Sequence, residues 1–319
     1  MTNIHDIAKM AGVSATTVSR VLNHHPHVNE ETVRAVQKAI KETGYTKNIH
    51  AVHLKKGKTN LIGIVVPFMD QNYFSQLVDG IAKAVSKTDC HLLIIQTQYL
   101  EEKELEALEL LKTKQVDCLI FCSRSVRLDV LQSYSRSGKM VLLEDVHEEG
   151  ISCTYMNHYD SFYAALTFLY EHGHKRIGIC LSRENSTSSL QRKKAFADFM
   201  EAHQLSLLEQ DIVTDCLYLE DGITLANRLL QLDGRPTAFL VTNDQVAAGI
   251  YTTCVRAGLR IPEDLAIIGF DNQSISKALD MTTVQIPFNK IGEQLVKQAL
   301  EPNVTRYEMK LELIKRGTV

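Results

Sequence analysis

The chain has 319 residues, of which 45% are hydrophobic and 23% are charged, and its formal net charge is -3. This length accommodates two or three domains with sizeable cores, and the composition is ordinary for a soluble globular protein. The sequence has no run of 18 apolar residues and no secretory signal, so we expect neither a membrane-spanning nor an exported protein. The seven cysteines, an odd number, indicate reduced thiols in a cytoplasm rather than a disulfide framework.

The first predicted elements are two short helices joined by a turn. Apolar residues recur at helical spacing over residues 4–11, Gly12 follows where a left-handed helix-ending residue belongs, and Ser14 suits the N-cap of a second helix. The outer face of the second helix carries small polar groups and hydrogen-bond donors, namely Thr16, Ser19, Arg20 and Asn23. This arrangement predicts a helix-turn-helix whose second helix reads DNA bases in the major groove. On these residues alone, an ordinary helical hairpin is the alternative.

A third helix is predicted between its N-cap Asn29 and Gly44, which completes a very small helical head. The histidines that precede it lack the fixed spacing and the Cys or carboxylate partners of a metal site, so no metal is predicted. These are His24, His25 and His27.

The charge is distributed unevenly along the chain. Residues 1–60 contain nine Lys and Arg against four Asp and Glu, whereas the remainder contains 26 against 34. A basic head on an acidic body indicates that the head meets a polyanion. Residues 47–58 contain four lysines and little periodicity, which indicates a linker able to form a short helix over 48–54. We therefore expect domains at 1–46, 47–59 and 60–319.

From Leu61 onward, continuous apolar runs alternate with helical stretches, which is typical of a doubly wound parallel sheet. Strands are predicted at 61–67, 91–96, 117–122, 140–143, 177–181, 212–213, 238–241 and 265–269. Helices are predicted at 74–87, 101–114, 129–137, 160–172, 192–203, 222–232 and 245–257. A second βαβ series begins after Thr154, so we expect two similar lobes with a cleft between them.

Ligands of parallel sheets bind beyond the carboxyl ends of the strands. The loops after Val66, Cys122, Leu143, Leu181, Val241 and Gly269 should therefore face the cleft. Carboxylates and amides follow three of these strand ends, at Asp145, Asn243, Asp244, Asp271 and Asn272. With an Arg and aromatic faces, such acceptors suit a hydroxyl-rich ligand such as a sugar. The alternative for each Asp is helix capping or turn formation.

The sequence contains none of the recognisable catalytic signatures. The dinucleotide-binding glycine fingerprint, the phosphate-binding P-loop, the zinc-protease helix motif and the serine nucleophile elbow are all missing. We therefore predict neither an enzyme nor a cofactor.

Several ordered motifs resemble the lactose-repressor (LacI/GalR) family of bacterial transcription regulators. The head motifs are Ile4 to Ala8 and Val13 to Asn23, and those of the body include Gly173 to Ile177, Arg192 to Phe196, Ile261 to Asp264, Ile268 to Asp271 and Thr282 to Val284. The resemblance implies an α/β protein with a small all-α helix-turn-helix head. It also implies a two-lobed, doubly wound parallel-sheet body like that of periplasmic binding proteins.

The resemblance implies that a homodimer binds double-stranded, pseudo-palindromic operator DNA. Thr16 and Arg20 would contact base edges with Ala15 adjacent, and Thr17 and Ser19 would contact the backbone. Leu54 would insert into the minor groove as a wedge, with Lys55 beside it. Such a wedge bends the DNA and exposes more of its surface to the head. Further implied DNA contacts are Asn23, Tyr45, Asn48 and Ala51. The linker departs from the family pattern, because Lys47 and Val52 replace the usual Pro and Arg.

The family resemblance also implies an effector in the cleft, a sugar or sugar phosphate, whose binding alters lobe closure and operator affinity. The implied site residues are Tyr73, Phe74, Asp145, Arg192, Asn243, Asp244 and Asp271. The expected function is repression of carbohydrate or carbon-catabolite genes. One alternative is corepression by a serine-phosphorylated carrier protein. A sugar-binding transport component is another, but it would have a signal peptide and no basic head. No leucine-heptad tail follows Val319, so we expect a dimer rather than a tetramer.

Overall fold

The computed structural model describes residues 3–23, 25–45 and 57–319. Contacts divide the chain into two compact units, Met1–Thr59 and Asn60–Val319, which we call the head and the body. The predicted linker helix over 48–54 lies outside the described residues. Across the described ranges, we find no helix with the length and apolarity needed to cross a membrane.

The head contains the helices α1 (Ile4–Met10), α2 (Ala15–Leu22) and α3 (Glu30–Thr43). The side chains of Asn3, Ser14 and Asn29 accept backbone N–H groups at the three helix starts. Gly12 and Gly44 follow α1 and α3 with φ of 66° and 63°, a left-handed conformation that favours glycine. The apolar stripes of the helices meet in one small core that includes Ile7, Val18 and Val36, all fully buried. The three predicted head helices are confirmed, together with the predicted caps Ser14 and Asn29 and the helix-ending Gly12 and Gly44.

The body alternates strands and helices. Its first part contains β1 (Leu61–Val66), α4 (Asn72–Val85), β2 (His91–Gln96), α5 (Glu101–Lys112), β3 (Cys118–Phe121), α6 (Leu128–Tyr134), β4 (Lys139–Leu142) and β5 (Ile151–Met156). The second part contains α7 (His158–Glu171), β6 (Ile177–Cys180), α8 (Thr187–Ala202), β7 (Ile212–Val213), α9 (Leu219–Leu230), β8 (Ala238–Val241), α10 (Asp244–Arg256) and β9 (Ala266–Asp271). The last part contains α11 (Ser274–Ala278), β10 (Thr282–Gln285), α12 (Phe288–Leu300), β11 (Arg306–Met309) and β12 (Glu312–Ile314).

These strands form two six-stranded sheets, one in each lobe. Lobe 1 has the order β11-β5-β4-β3-β1-β2 and lobe 2 the order β12-β10-β9-β8-β6-β7. Neighbouring strands are parallel apart from β12, which runs antiparallel to β10. Helices cover the faces of the sheets. As a result, every residue of the apolar strands β3 and β8 is buried. The two-lobed parallel architecture predicted from the sequence is confirmed.

Two successive βαβ series predict that each lobe is one continuous stretch of chain, and the structure corrects this prediction. The chain crosses between the lobes three times, after Met156, Gln285 and Met309. Lobe 1 therefore contains β5, which precedes the second series, and it also contains α12 and β11 from near the C-terminus. These late elements complete lobe 1 because the apolar face of α12 packs against α4 and the underside of the sheet.

Helix pairs in both lobes cross where glycines remove the side chain. An added Cβ at Gly292 of α12 would lie 2.3 Å from the carbonyl carbon of Gly80 in α4. An added Cβ at Gly222 of α9 would lie 2.1 Å from the carbonyl oxygen of Val246 in α10. Backbone atoms cannot yield as a flexible side chain can, so these glycines set the distance between the paired helices.

We expect Gly222→Ala to destabilise the body by about 1–3 kcal/mol, because the methyl group forces α9 and α10 apart. Urea unfolding of the full chain measures this change. Thr224→Ala on the exposed face of the same helix is the matched control and should change stability by no more than about 0.5 kcal/mol. Equal stability of the two variants would contradict the close-approach explanation.

Candidate functional site

In the head, side-chain hydrogen bonds fix the start and the end of α2. The Ser14 hydroxyl accepts the Thr17 N–H at 3.1 Å and lies 2.9 Å from the Thr17 hydroxyl. The Asn23 side-chain amide donates to the Ser19 carbonyl oxygen at 2.9 Å. Thr17, Ser19 and Asn23 thus take part in contacts that stabilise the helix itself.

The outward face of α2 presents Thr16 and Arg20, four residues apart and both exposed. Within the described ranges, Arg20 takes part in no salt bridge, so its guanidinium is available to a partner outside the head. Ala15, Thr17 and Ser19 are partly buried at the sides of this face. Tyr45 is partly buried and packs against the head core. The other predicted DNA contacts, Asn48, Ala51, Leu54 and Lys55, lie outside the described residues.

The body contains a cavity of about 440 Å³ between the two lobes. All six strand-end loops predicted to face the cleft contribute to its wall, through residues such as Gln71, Ser123, Glu144, Ser182, Thr242 and Asp271. The cavity is large enough for a small ligand, and its position follows from the parallel sheets, whose carboxyl ends meet there.

Six of the seven predicted effector residues line this cavity: Tyr73, Phe74, Asp145, Arg192, Asn243 and Asp271. Asp244 is the exception and lies outside the wall. Its carboxylate is fully buried and accepts the Gln273 N–H and the Thr283 hydroxyl, both at 2.7 Å. Asp244 therefore stabilises lobe 2 rather than facing the ligand, because both of its carboxylate oxygens already have partners within that lobe.

Two of the lining residues are also occupied by structural contacts. The Asn243 side-chain oxygen accepts the Gln245 N–H at 2.7 Å and caps α10. The Asp145 carboxylate forms a salt bridge with Arg306 at 2.6 Å. Helix capping and ion pairing therefore account for these side chains, which leaves Arg192 and Asp271 as the principal charged groups from the predicted set.

Arg192 is the central buried cation of the cavity wall. Its side chain is 7% exposed, and one terminal nitrogen lies 3.2 Å from Nδ1 of His158. Among the described residues, Arg192 Nε, Gln71 Nε2 and Gln191 Oε1 are buried without a hydrogen-bond partner. Buried polar groups are nearly always paired in native proteins, so these three atoms point to a polar ligand in the cavity.

Burial shapes the electrostatics of this cluster. It lowers the pKa of Arg192 to about 10, a shift that Asp271 and Tyr73 oppose, so the guanidinium stays charged at neutral pH. Burial, followed by the nearby Asp244, raises the pKa of Asp271 well above its ordinary value. Burial and the charge of Arg192 lower the pKa of His158 well below its ordinary value, which favours neutral imidazole beside the guanidinium.

Four contacts join the two lobes around the cavity. The Thr187 hydroxyl of lobe 2 donates to Glu144 of lobe 1 at 2.6 Å, and the Asn72 side-chain amide donates to Gln273 at 2.7 Å. The Tyr218 hydroxyl lies 3.4 Å from Asp70, and the Arg183 guanidinium lies 3.8 Å from the centroid of the Tyr99 ring. Glu144 is itself held by a bidentate ion pair with Arg124.

Several residues of the cavity wall are not predicted from the sequence, including Gln71, Tyr99, His158, Arg183 and Gln191. Arg183 could have been found, because it follows the predicted strand end at Leu181 by two residues. Gln71 and Gln191 carry no such signal, since glutamines are common on surfaces and their burial depends on the packing of both lobes.

We expect the neutral His158 to make stability pH-dependent. Its folded pKa is lowered, so its contribution is present above the unfolded pKa near 6.5 and is lost as the pH falls below that value. Between pH 6.5 and 5, the wild type should lose at most about 1.4 kcal/mol per pH unit through this group. Urea unfolding of His158→Asn should show a flatter dependence over the same range. Parallel curves would contradict a buried neutral His158.

The chain matches known families over nearly its whole length. Residues 59–308 match the model described as periplasmic binding proteins and sugar binding domain of LacI family, and residues 3–48 match bacterial regulatory proteins, lacI family. The chain is 38% identical to the uncharacterized HTH-type transcriptional regulator YkvZ of Bacillus subtilis (strain 168), with 100% of both chains covered. It is 33% identical to catabolite control protein B of the same organism, with 92% of each covered.

The lac repressor dimer bound to operator and the anti-inducer ONPF shares the fold, with a TM-score of 0.84 at 23% identity. That likeness covers 99% of this chain and 98% of the lac repressor chain. The two family matches together cover both the head and the body, and the curated relatives are transcriptional regulators rather than enzymes. The chain therefore belongs to the LacI family of bacterial transcription regulators.

Proposed function

We propose that the protein binds an operator as a homodimer and that a small, hydroxyl-rich effector in the interlobe cavity controls this binding. The observation that carries the effector part is the set of unpaired buried polar atoms around Arg192. Support for a sugar-like effector comes from the match of the body to the sugar binding domain of the family. Transcription takes place at the chromosome, so we expect the protein in the cytoplasm.

The DNA-contacting residues are part of this proposal. Thr16 and Arg20 would contact base edges, because they share the exposed face of α2 and Arg20 can donate two hydrogen bonds to guanine. Ala15 would lie next to these base contacts, Thr17 and Ser19 would contact the DNA backbone, and Asn23 and Tyr45 are further proposed DNA contacts. We retain Asn48, Ala51, Leu54 and Lys55 as proposed minor-groove contacts on the family resemblance. We likewise retain 1–46, 47–59 and 60–319 as the proposed domains.

A homodimer would cover the edge strand β2. Leu93 and Ile94 of this strand are 38% and 45% exposed, and Leu100 just beyond it is 46% exposed. An exposed apolar edge strand is a liability in a monomer and favours association. A second copy of the chain is the proposed occupant, consistent with the dimer in which the lac repressor binds its operator.

We expect Ile94→Asp to convert the dimer to a monomer and to weaken operator binding, because two buried carboxylates would face each other at the interface. Sedimentation analysis measures the change in mass. Val304→Asp is the control, since Val304 is equally exposed but precedes β11 at the opposite edge of the same sheet. A dimeric Ile94→Asp protein, or a monomeric wild type, would contradict this assignment.

Repression of carbon-catabolite genes is the physiological role we propose, on the similarity to catabolite control protein B. Corepression by a serine-phosphorylated carrier protein is the alternative mode of control. Adding that phosphoprotein to the operator-binding assay separates the two, because failure to raise operator affinity would eliminate the corepressor.

The experiment that tests the proposed function is selection of random duplex DNA by the purified full-length chain across a salt series. We expect enrichment of a short palindrome whose affinity falls steeply as salt rises, since Lys and Arg release counterions from phosphates. Double replacement of Thr16 and Arg20 by Ala is the control. Absence of an enriched sequence, or an identical one with the double variant, would refute sequence-specific reading by α2.

A further inference from the structure

Arg183 is a cavity cation held in place by an aromatic ring rather than by a carboxylate. Its guanidinium lies over the Tyr99 ring of the opposite lobe, and the Tyr99 hydroxyl lies 3.1 Å from the Ser123 hydroxyl. Gln98 and Tyr99 both have positive φ, 53° and 59°, a backbone conformation that turns the Tyr99 ring toward the cavity. Stacking fixes the plane of the guanidinium and leaves its N–H groups free to donate in that plane.

The cavity has an excess of positive charge once Arg306 is counted, which lies outside the wall and pairs with Asp145. Its charged lining consists of three arginines and three acids, namely Arg124, Arg183, Arg192, Glu144, Asp145 and Asp271. Glu144 and Asp145 are neutralised by the ion pairs with Arg124 and Arg306 described above. Asp271 is thus the only cavity carboxylate left to offset Arg183 and Arg192, neither of which joins a salt bridge in the part of the chain that the structure describes. The ligand therefore enters a net positive site.

The N-terminus of α8 adds further donors beside Arg183. The Ser186 hydroxyl caps the helix by accepting the Ser189 N–H at 3.2 Å, while the N–H groups of Thr187 and Ser188 find no acceptor among the described residues. Thr187 and Ser188 line the cavity, and the first turn contains no acidic residue of its own. The carboxylate beside it, Glu144, accepts the Thr187 hydroxyl at 2.6 Å and is neutralised by its ion pair with Arg124. Free N–H groups and the partial positive charge of a helix start favour an anion.

The buried unpaired atoms point the same way. Arg192 Nε and Gln71 Nε2 are donors on side chains that are 7% and 9% exposed, and both residues lie on the cavity wall. Gln191 Oε1 is the single unpaired acceptor beside them. The unpaired groups here are mostly donors and, together with Arg183 and the helix start, they suit a ligand that carries an oxyanion, whose oxygens are charged acceptors with no proton of their own to donate.

We infer that the effector is a small polyol or sugar carrying an oxyanion, a phosphate ester or a carboxylate, and that Arg183 and the N-terminus of α8 bind this group. Asp271 and Gln191 then accept hydrogen bonds from the hydroxyl groups of the same ligand. This inference rests on the proposed function, in which the cavity holds the effector, and it specifies the charge of that effector.

Thermal unfolding of the full-length protein in inorganic phosphate, against sodium chloride at equal ionic strength, tests the oxyanion site. We expect a saturable rise in Tm of roughly 2–4 °C once phosphate is several-fold above its Kd. Arg183→Gln should bind phosphate at least about tenfold more weakly, and Arg183→Lys should fall between it and the wild type. Arg256→Gln, an exposed arginine of the same lobe outside the cavity wall, should behave as the wild type.

Glucose 6-phosphate, glucuronate and glucose then distinguish the source of the oxyanion. A shift with the first alone assigns a phosphate ester, a shift with the second alone assigns a carboxylate, and both should require Arg183. The inference is overturned if phosphate and both charged sugars give no saturable shift, if glucose matches them, or if Arg183→Gln binds as tightly as the wild type. If the oxyanion test fails but the DNA selection still enriches a palindrome, the proposed function stands, and only the inferred negative charge of the effector is rejected.

Discussion

Replacing Arg192 with Gln is expected to abolish the effector response while leaving operator binding in the absence of effector unchanged. Arg192 is buried on the cavity wall with an unpaired Nε, so it donates charged hydrogen bonds that glutamine cannot reproduce. One such bond contributes about 1.5–3 kcal/mol, and its loss should weaken effector binding by at least about tenfold, which nearly abolishes the response at effector concentrations close to the wild-type Kd. The head lies in a separate unit and keeps its recognition helix.

Fluorescence anisotropy of labelled operator, titrated with the tightest-binding compound of the sugar panel, measures this response. Arg256→Gln serves as the control because it removes an exposed arginine from the same lobe. Thermal unfolding without ligand establishes that Arg192→Gln is folded. A variant that responds to the same effector at the same concentration as the wild type would show that Arg192 does not bind it.

Arg20→Gln is expected to have the second large effect, a loss of sequence-specific affinity. A bidentate arginine–guanine contact provides about 1–3 kcal/mol of discrimination, and a dimer makes it in each half-site. The operator affinity should thus fall by roughly 2–6 kcal/mol, about 30-fold or more, while binding to random duplex should change much less. Arg20 is exposed on α2 and forms no salt bridge within the described ranges, so its removal should leave the head stable.

Arg34→Gln is the matched control, because Arg34 is an exposed arginine of α3 whose one salt bridge within the described ranges joins it to Glu30, one turn away. The comparison uses equilibrium titrations of operator and random duplex at one fixed salt concentration. Equal losses on both duplexes would show that Arg20 contacts phosphates alone, and no loss on either would exclude it from the interface.

Much of this architecture could be predicted because local signals agree with the fold. Ser14 and Asn29 cap their helices with side-chain oxygens, and Gly12 ends α1, as their spacing indicates. Parallel strands buried on both faces give continuous apolar runs, which made β1 and β8 visible in the sequence. Ligands of parallel sheets bind beyond the carboxyl ends of the strands, so the position of the cavity can be predicted from the strand assignment alone.

What could not be predicted depends on contacts between distant parts of the chain. Helix α8 begins at Thr187, five residues before the predicted start, and Ser186 caps it. The Ser and Thr residues of its first turn have low helix propensity, so the sequence does not indicate a helix there. That turn carries the free N–H groups of the proposed oxyanion site. The return of α12 and β11 to lobe 1 follows the Gly80–Gly292 crossing, which no local pattern announces. Asp244 and Asp271 are both buried aspartates close to strand ends, and only the folded structure shows that Asp271 lines the cavity whereas Asp244 does not.

The most direct test of the central claim is the operator affinity of the full-length wild type with and without ligands in the cavity. Anisotropy titrations with the selected palindrome, in the presence of each sugar and charged sugar of the panel, give this affinity. We predict that at least one compound shifts operator affinity by about 5- to 150-fold, the usual range of allosteric coupling, and that Arg192→Gln removes the shift. Ligand binding that leaves operator affinity unchanged, or a shift that persists in Arg192→Gln, would contradict control of DNA binding through this cavity.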